Sequence, residues 1–379
     1  ALMEEARVVG MLAQNGERPK RTIVYASWDA EEPGLLGSTE FAEHHADELR
    51  EKAVAYINTD GNGRGFLRMG GSHTLERLVN QVAKEVEDPQ TGVSAWERAQ
   101  AQRAVAGDAE ATTRSDLRIS PLGSGSDYTP FLQHLGIATL NVSYGGENRG
   151  GSYHSQFDSF EHYTRFGDPG FYYGEALAKT TGRLTLRLAN ADVLPMRFEN
   201  FSDNIGLYAG EVMELLEDTR TATNRNNELV ALNAYDLASD PTKTYVAPAL
   251  EDDVPFLNFA PIQNAVRRLE ESSAALDVEM RRVMQTGATS AEAQALNRVL
   301  KTTERLMTND EGLPRRPWYR HQVYAPGFHT GYGVKTLPGI REAIELRNWD
   351  EATEHIGLVA DMLDRVSEAL EQATRILKS

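Results

Sequence analysis

The chain has 379 residues, of which 40% are hydrophobic and 25% are charged. This composition is typical of a soluble, folded protein with room for two or three domains. The net charge of −17 disfavours binding to a nucleic-acid backbone, and no apolar run approaches the roughly 18 residues of a transmembrane helix. The chain has no cysteine, so disulfides and thiolate sites are excluded. Any metal would be held by His, Asp and Glu, which favours zinc, manganese, magnesium or calcium.

The first twelve residues predict a helix, because their apolar residues recur at helical spacing. The segment begins without a capping residue, a methionine or a signal peptide. We therefore expect the helix to be entered partway through a longer protein.

The first half of the chain alternates predicted strands and helices. Three segments are mostly apolar and predict buried strands: 22–29, 53–59 and 136–142. Four segments predict helices: 38–49, 73–87, 168–191 and part of 95–118, whose remainder predicts a polar loop. This order predicts an α/β domain over 1–194, with a mostly parallel sheet flanked by helices.

The pattern changes after residue 194, where strand candidates nearly vanish. Four further segments predict helices: 203–217, 257–284, 290–307 and 350–377. Residues 195–379 therefore predict an all-helical domain. A loop near 312–340, rich in Pro, Gly and aromatic residues, interrupts these helices. Long loops of this kind are often functional, so we expect this loop to help form a pocket.

Carboxylates and one histidine follow the predicted strands. Glu31 and Glu32 come after the first strand, Asp60 after the second and His154 after the third. Because ligands gather at the carboxyl ends of strands, we expect these residues to meet at one edge of the sheet. One of two adjacent carboxylates can bind a metal while the other acts as a general base. Each residue alone is also typical of a structural role, since exposed Glu pairs and turn Asp residues are common.

A serine hydrolase is the competing kind of enzyme at this edge. The Gly-rich run 123–126 carries Ser126, but no Gly follows two residues later. The run therefore does not match the nucleophile elbow.

Several segments resemble the zinc peptidases of the glutamate carboxypeptidase II and transferrin receptor family. In chain order they are YASWDAEEPGLLGSTE at 25–40, AYINTD at 55–60, LGSGSDY at 122–128, YHS at 153–155, RHQVYAP at 320–326 and LPGI at 337–340. The similarity spans nearly the whole chain.

The resemblance implies a binuclear zinc exopeptidase with two zinc ions per subunit in the complete protein. Glu31 matches the family's general acid/base, Glu32 and His154 match ligands of one zinc, and Asp60 matches a ligand of the other. In the family, Glu31's counterpart deprotonates a metal-bridging water. The family also uses an upstream His and a bridging Asp, which match no residue of this sequence. The receptor branch has lost its zinc ligands, so retention of these four residues favours the catalytic branch.

The resemblance also places a substrate cleft. Ser126, Asp127 and Tyr153 match positions that line it. The implied substrate is a peptide, cleaved at one terminus, and both the carboxypeptidase and the aminopeptidase type remain open.

Departures from the family pattern make acidic-substrate specificity doubtful. Asn141 and Ser143 stand where glutamate carboxypeptidase II has two arginines. Tyr332 is kept in the glutamate pocket, but Gly331 replaces its lysine. Without these cations a substrate carboxylate would be poorly compensated. Two other cations could substitute for them: Lys335 and Arg149. Small or apolar terminal residues are at least as plausible.

Three further expectations follow from the resemblance. Glu40 and Glu43 match ligands of a structural calcium ion, and their spacing puts both on one helix face. An exposed acidic face is the alternative. The helical region implies a homodimer, and the family implies a periplasmic or extracellular location.

Two alternatives to an active enzyme remain. One is a non-catalytic, receptor-like or binding relative with the same fold. The other is a fragment that is inactive without a missing N-terminal part.

Overall fold

The computed structural model describes residues 1–147 and 151–378. In the α/β region its helices are α1 (Leu2–Gln14), α2 (Leu36–His44), α3 (Ala46–Lys52), α4 (Glu76–Ala83), α5 (Ala95–Val105), α6 (Phe160–His162) and α7 (Tyr172–Asn190). Further along the chain are α8 (Glu199–Ala231), α9 (Ala234–Ala238), α10 (Ala260–Thr286), α11 (Ser290–Leu300), α12 (Pro338–Glu345) and α13 (Trp349–Lys378). This arrangement confirms the predicted fold class, an α/β region followed by a helical one.

The central sheet of the described residues has three strands in the order β1-β3-β2. They are β1 (Tyr56–Asn58), β2 (Gly65–Gly71) and β3 (Thr139–Gly146). β1 runs parallel to β3, with Tyr56 opposite Thr139, whereas β2 runs antiparallel to β3, with Gly65 opposite Gly146. The sheet is therefore mixed rather than mostly parallel.

Strand β2 was missed because its sequence holds three glycines, which weaken strand propensity. Tertiary packing explains one of them. Gly71 has a φ of +143°, and a Cβ there would lie 2.1 Å from the carbonyl oxygen of Thr139. Only glycine allows the two strands to approach so closely at this position.

The prediction of a buried strand over 22–29 is wrong for the described residues. The segment is extended but pairs with no strand, and Val24 is 76% exposed. Side-chain hydrogen bonds hold it instead: the Tyr25 hydroxyl donates to Glu5 Oε1 at 3.3 Å, and Trp28 Nε1 donates to the Tyr56 hydroxyl at 2.9 Å. Apolar composition favours a strand, but a strand also needs a hydrogen-bonding neighbour.

Other predicted elements are present with different ends. The helix expected over 38–49 is interrupted at His45, between α2 and α3. The helix expected over 203–217 is part of the much longer α8. The loop near 312–340 contains an unpredicted hairpin, β4 (Tyr324–Pro326) and β5 (Val334–Thr336), and ends in α12.

One hydrophobic core extends from the sheet into the helical region. Leu140 of β3 and Phe201 of α8 both belong to it and are fully buried. In the helical region α10 and α13 lie against each other through residues at helical spacing, such as Leu269 and Leu363. The proposed boundary between residues 194 and 195 stays a prediction. Among the described helices, none combines the length and the apolar character that crossing a membrane requires.

Candidate active site

The acidic pair lies in a tight turn in front of α2. The carbonyl oxygen of Glu31 accepts hydrogen bonds from the N–H groups of Gly34 at 2.9 Å and Leu35 at 2.7 Å. Leu35 has a left-handed φ of 59°, and so does Ala30, with a φ of 53°. Non-glycine residues rarely adopt this conformation, and such strain is concentrated at functional sites. The turn therefore fixes the direction in which each carboxylate leaves the backbone.

A third residue with a left-handed φ, His154, lies beside this turn. His154 has a φ of 56°, in a turn closed by the N–H of Ser155 donating to Ser152 O at 3.0 Å. Its Nε2 lies 3.3 Å from Oε2 of Glu32. The ring of Tyr153 stacks on the imidazole, with a centroid distance of 3.8 Å and an interplanar angle of 20°. The structure thus joins Glu32 and His154, which are far apart in the sequence.

Glu31 lies among negative charges. Partial burial raises its pKa, and the charges of Glu32, Asp127 and Asp60 raise it further, while His154 lowers it. The negative charges of Glu32, Asp127 and Asp60 all act on the Glu31 carboxylate. Four predicted site residues therefore lie within electrostatic range of Glu31: Glu32, Asp60, Asp127 and His154.

Asp127 is partly buried beside this group. Burial raises the pKa of Asp127, the hydroxyl of Ser38 lowers it through a hydrogen bond, and Asp60 raises it. Its Oδ1 has no hydrogen-bond partner among the described residues. Asp127 therefore has a free acceptor next to the acidic group.

Ser126 is buried and Asn141 is half-buried, and Asn58 holds both of them. The side-chain amide of Asn58 donates to Ser126 Oγ at 2.8 Å and to Asn141 Oδ1 at 3.2 Å. Ser126 is only 2% exposed. Asn58 lies opposite Asn141 in the parallel register of β1 and β3, and sequence reasoning gave it no role. The signal was its place at the end of a predicted strand. We assign Ser126 and Asn141 to the wall of the site.

Arg68, which lies opposite Ser143, is another residue that the sequence did not indicate. Ser143 is half-buried on β3, directly opposite Arg68 of β2. Paired residues of adjacent strands point to the same face of a sheet. The exposed guanidinium of Arg68 lies along Gly145 and Gly146, toward the end of β3, and has no hydrogen bond or ion pair within 1–147 and 151–378. Arg68 was overlooked because β2 itself was not predicted.

The helical region contributes Tyr332 to the Gly-rich loop. The N–H of Ser124 donates to Tyr332 O at 3.4 Å. A Cβ on Gly125 would lie 2.7 Å from the ring of Tyr332, so the ring needs glycine there. Tyr332 is 64% exposed. The pKa of Tyr153 is raised first by desolvation and next by the charge of Tyr332. The two tyrosines therefore lie on the same cleft.

The remaining cations and acidic residues are placed as follows. Lys335 is neutralised by Glu345, with Nζ and Oε1 2.6 Å apart, and Arg149 lies outside the described residues. Glu43 accepts a hydrogen bond from Trp318 Nε1 at 2.6 Å, and Glu40 is exposed on the same helix. Calcium binding by Glu40 and Glu43 stays a prediction.

The zinc ligands fit in chemistry but not in number. A zinc site takes about four ligands, and Glu32 with His154 supplies a carboxylate and an imidazole in contact. Within the described part of the chain, however, no three His, Cys, Asp or Glu residues come close enough together to hold a metal ion. Glu32 and His154 could therefore supply two ligands of a metal ion, and a complete site would need further ligands.

Comparisons with known proteins agree with this geometry. Residues 1–167, which include the turn with Glu31 and Glu32 as well as Asp60 and His154, match the model of peptidase family M28. Residues 257–371 match the transferrin receptor-like dimerisation domain. The chain belongs to the family of glutamate carboxypeptidase II and the transferrin receptor, as its sequence predicted.

Individual relatives bear names of two activities. A probable glutamate carboxypeptidase LAMP1 from Arabidopsis thaliana is 30% identical over 385 residues, which cover 100% of this chain and 48% of that protein. A probable glutamate carboxypeptidase from Arthroderma benhamiae is 30% identical, covering 100% and 46%. The aminopeptidase NAALADL1 of Rattus norvegicus is 26% identical, covering 98% and 47%. The chain thus spans about half the length of the curated relatives it matches.

Proposed function

We propose that the protein is a binuclear zinc exopeptidase that removes a terminal residue from peptides. The observation that carries this proposal is the grouping of Glu31 with Glu32, Asp60 and His154, in which Glu32 and His154 are already in contact at 3.3 Å. The family match and the names of the relatives support a peptidase.

Glu31 is the general base in this mechanism. Its carboxylate takes a proton from the attacking water and later donates it to the leaving amine. The turn that holds the Glu31 carbonyl leaves the side chain directed into the acidic group. Burial and the negative charges of its neighbours raise the pKa of Glu31.

Glu32 and His154 would hold one zinc ion, and Asp60 would hold the other. When bound, the metal pair would supply Lewis-acid activation of water and of the scissile carbonyl. Tyr153 stacks on the His154 ring and limits its rotation. This contact keeps the imidazole directed at Glu32.

The residues of the cleft do not support specificity for acidic substrates. Asn141 and Ser143 are neutral, and Lys335 is paired with Glu345. Arg68 is an unpaired cation at the end of β3 among the described residues. An exposed guanidinium there can contact one carboxylate of a peptide. We therefore propose activity on small or apolar terminal residues, with Arg68 as a contact for one carboxylate of the substrate.

We also propose that the protein forms a homodimer through its helical region and is periplasmic or extracellular. The match of residues 257–371 to a dimerisation domain supports the homodimer. Sedimentation velocity tests it, since a single species of monomer mass at micromolar concentration would contradict it. Fractionation of the producing cells tests the location.

The test of function combines metal analysis with hydrolysis of a peptide panel. The panel includes peptides blocked at either terminus and peptides ending in Glu or Leu. Wild type is compared with Glu31→Gln and with Glu17→Gln, a control of the same chemistry on an exposed residue. All three are made in the full-length protein, in which we expect about two zinc ions per subunit for wild type and both variants. Activity should fall by about 10²–10⁴-fold only in Glu31→Gln.

Other outcomes have distinct meanings. Zinc without hydrolysis of any peptide would refute the exopeptidase and favour a metal-binding relative. Absence of both zinc and hydrolysis would favour the receptor-like alternative. Equal loss in Glu17→Gln would show that Glu31 has no special role.

A further inference from the structure

The loop that carries Tyr332 connects the two strands of the β4–β5 hairpin. Residues 327–333 form this loop, which we call the pocket loop. Its ends are joined by the N–H of Gly327 donating to Gly333 O at 2.8 Å. Near its C-terminal end, Tyr332 lies against the Gly-rich loop at Ser124 and Gly125. A shift of the pocket loop would therefore move one wall of the cleft.

A buried carboxylate on α12 holds the other side of this loop. Glu342 is only 5% exposed. Its Oε1 accepts a hydrogen bond from the backbone N–H of Phe328 at 2.7 Å. Its Oε2 accepts a hydrogen bond from Nη2 of Arg316, also at 2.7 Å. Arg316 is itself largely buried, and its guanidinium carbon lies 5.9 Å from the centre of the Phe328 ring. Both oxygens of one carboxylate are thus engaged in positioning the loop.

We propose that Glu342 and Arg316 form a clamp that positions the pocket loop, and with it Tyr332, for substrate binding. They are positioning residues, because they act on the cleft through Phe328 and the loop backbone. The role in substrate binding rests on the proposed exopeptidase function. The clamp itself is a feature of the fold and can be tested without activity.

The physical reason for the clamp is the burial of its charges. A buried carboxylate is stable only when its acceptors are satisfied, and here one is satisfied by a cation and the other by the loop. Nε and Nη1 of Arg316 have no partner among the described residues, so Glu342 is its one compensating charge there. Neutralising Glu342 leaves Arg316 uncompensated and weakens the hold on Phe328.

A neighbouring ion pair supplies a matched control. Arg315 and Glu351 form a two-point pair, at 2.8 and 2.9 Å, beside Arg316 in the sequence. This pair is more exposed and contacts no backbone group of the pocket loop in the part of the chain that the structure covers. Arg315 also lies 5.5 Å from the centre of the Phe328 ring, but Glu351 has no recorded contact with the pocket loop among the described residues. Glu351→Gln therefore removes an Arg–Glu pair of the same chemistry while the bond from Glu342 to the loop backbone stays in place.

The experiment measures hydrogen–deuterium exchange and peptide kinetics on wild type, Glu342→Gln, Glu342→Asp and Glu351→Gln. In Glu342→Gln we expect amide exchange over 327–333 to rise at least about tenfold, with α13 still protected. For hydrolysed peptides, KM should rise about tenfold while kcat stays within about twofold, since the loop binds substrate but takes no part in bond cleavage. Glu342→Asp should recover part of both effects, and Glu351→Gln should show neither.

The outcomes separate the clamp from the enzyme. Unchanged loop exchange in Glu342→Gln, or equal changes in Glu351→Gln, would overturn the clamp. Raised loop exchange with unchanged KM would overturn its role in substrate binding. If wild type hydrolyses no peptide, the proposed function fails, and the exchange measurement still decides whether the clamp exists.

Discussion

Glu304 allows a stringent test of how the two regions of the protein are joined. Its side chain is fully buried, and Oε1 accepts hydrogen bonds from Ser72 Oγ at 2.8 Å and from the Tyr324 hydroxyl at 2.7 Å. Nε2 of His321 lies 3.2 Å from the same oxygen. Ser72 follows β2, whereas Tyr324 begins β4, the strand that leads into the pocket loop. One carboxylate therefore ties the sheet to the hairpin.

We expect Glu304→Ala to destabilise the protein strongly. The substitution leaves three buried groups without their acceptor, and each such group costs about 1–3 kcal/mol. Because neighbouring losses are not additive, we expect a total of about 3–5 kcal/mol. Tyr324→Phe removes a single donor and should cost about 1–2 kcal/mol. A typical folding free energy is about 5–15 kcal/mol, so the larger loss is a substantial fraction of it.

Urea unfolding followed by tryptophan fluorescence measures both changes. Asp310→Ala is the control, because the Asp310 side chain is 97% exposed and its ion pair with Arg320 is long, at 3.5 Å. This control should change stability by less than about 0.5 kcal/mol. A cost below about 1 kcal/mol for Glu304→Ala would refute the reasoning, since it would mean that the three buried donors find other partners.

Three further predictions concern the site, the core and pH. His154→Ala should reduce bound zinc from about two ions per chain to one or fewer, because it removes an imidazole ligand; unchanged zinc by mass spectrometry would contradict the ligand role. Phe201→Ala should cost about 3–5 kcal/mol in urea unfolding, because Phe201 is fully buried in the shared core; a cost under 1 kcal/mol would show that the core can collapse around the gap. Burial alone would raise the pKa of Asp88, but hydrogen bonds from Arg98 and Thr91 outweigh it and lower the pKa. A lowered folded-state pKa gives stability that is complete above the unfolded value of about 3.9 and is lost as pH falls through the folded value. Wild type should therefore lose stability more steeply than Asp88→Asn below about pH 4, and parallel stability curves would exclude this contribution.

Local sequence was most informative where periodicity is strong. The helix predicted over 350–377 is found as α13, Trp349–Lys378. Its apolar residues recur at helical spacing, and that spacing is fixed by adjacent residues of the chain. The motif of the turn likewise identified Glu31 and Glu32 before any contact was known.

Contacts between distant segments could not be predicted in this way. Nothing near Gly65–Gly71 in the sequence shows that this glycine-rich segment pairs with β3, and the pairing alone puts Arg68 opposite Ser143. The apolar segment 22–29 looks like a strand locally, yet Val24 is exposed because no described strand lies beside it. Strand pairing depends on a partner, and the partner is not encoded in the segment itself.

The sequence by itself determined the fold class, the family and the residue types available for chemistry. Cysteine-free composition and the carboxylates after predicted strands were enough to indicate a His and carboxylate site. The tertiary structure alone decided that Glu32 meets His154, that Asn58 holds Ser126, and that Glu342 holds the pocket loop. The physical reason is that periodicity and turn motifs act over a few neighbouring residues, whereas register, burial and charge pairing are set by segments that meet only when the whole chain is packed.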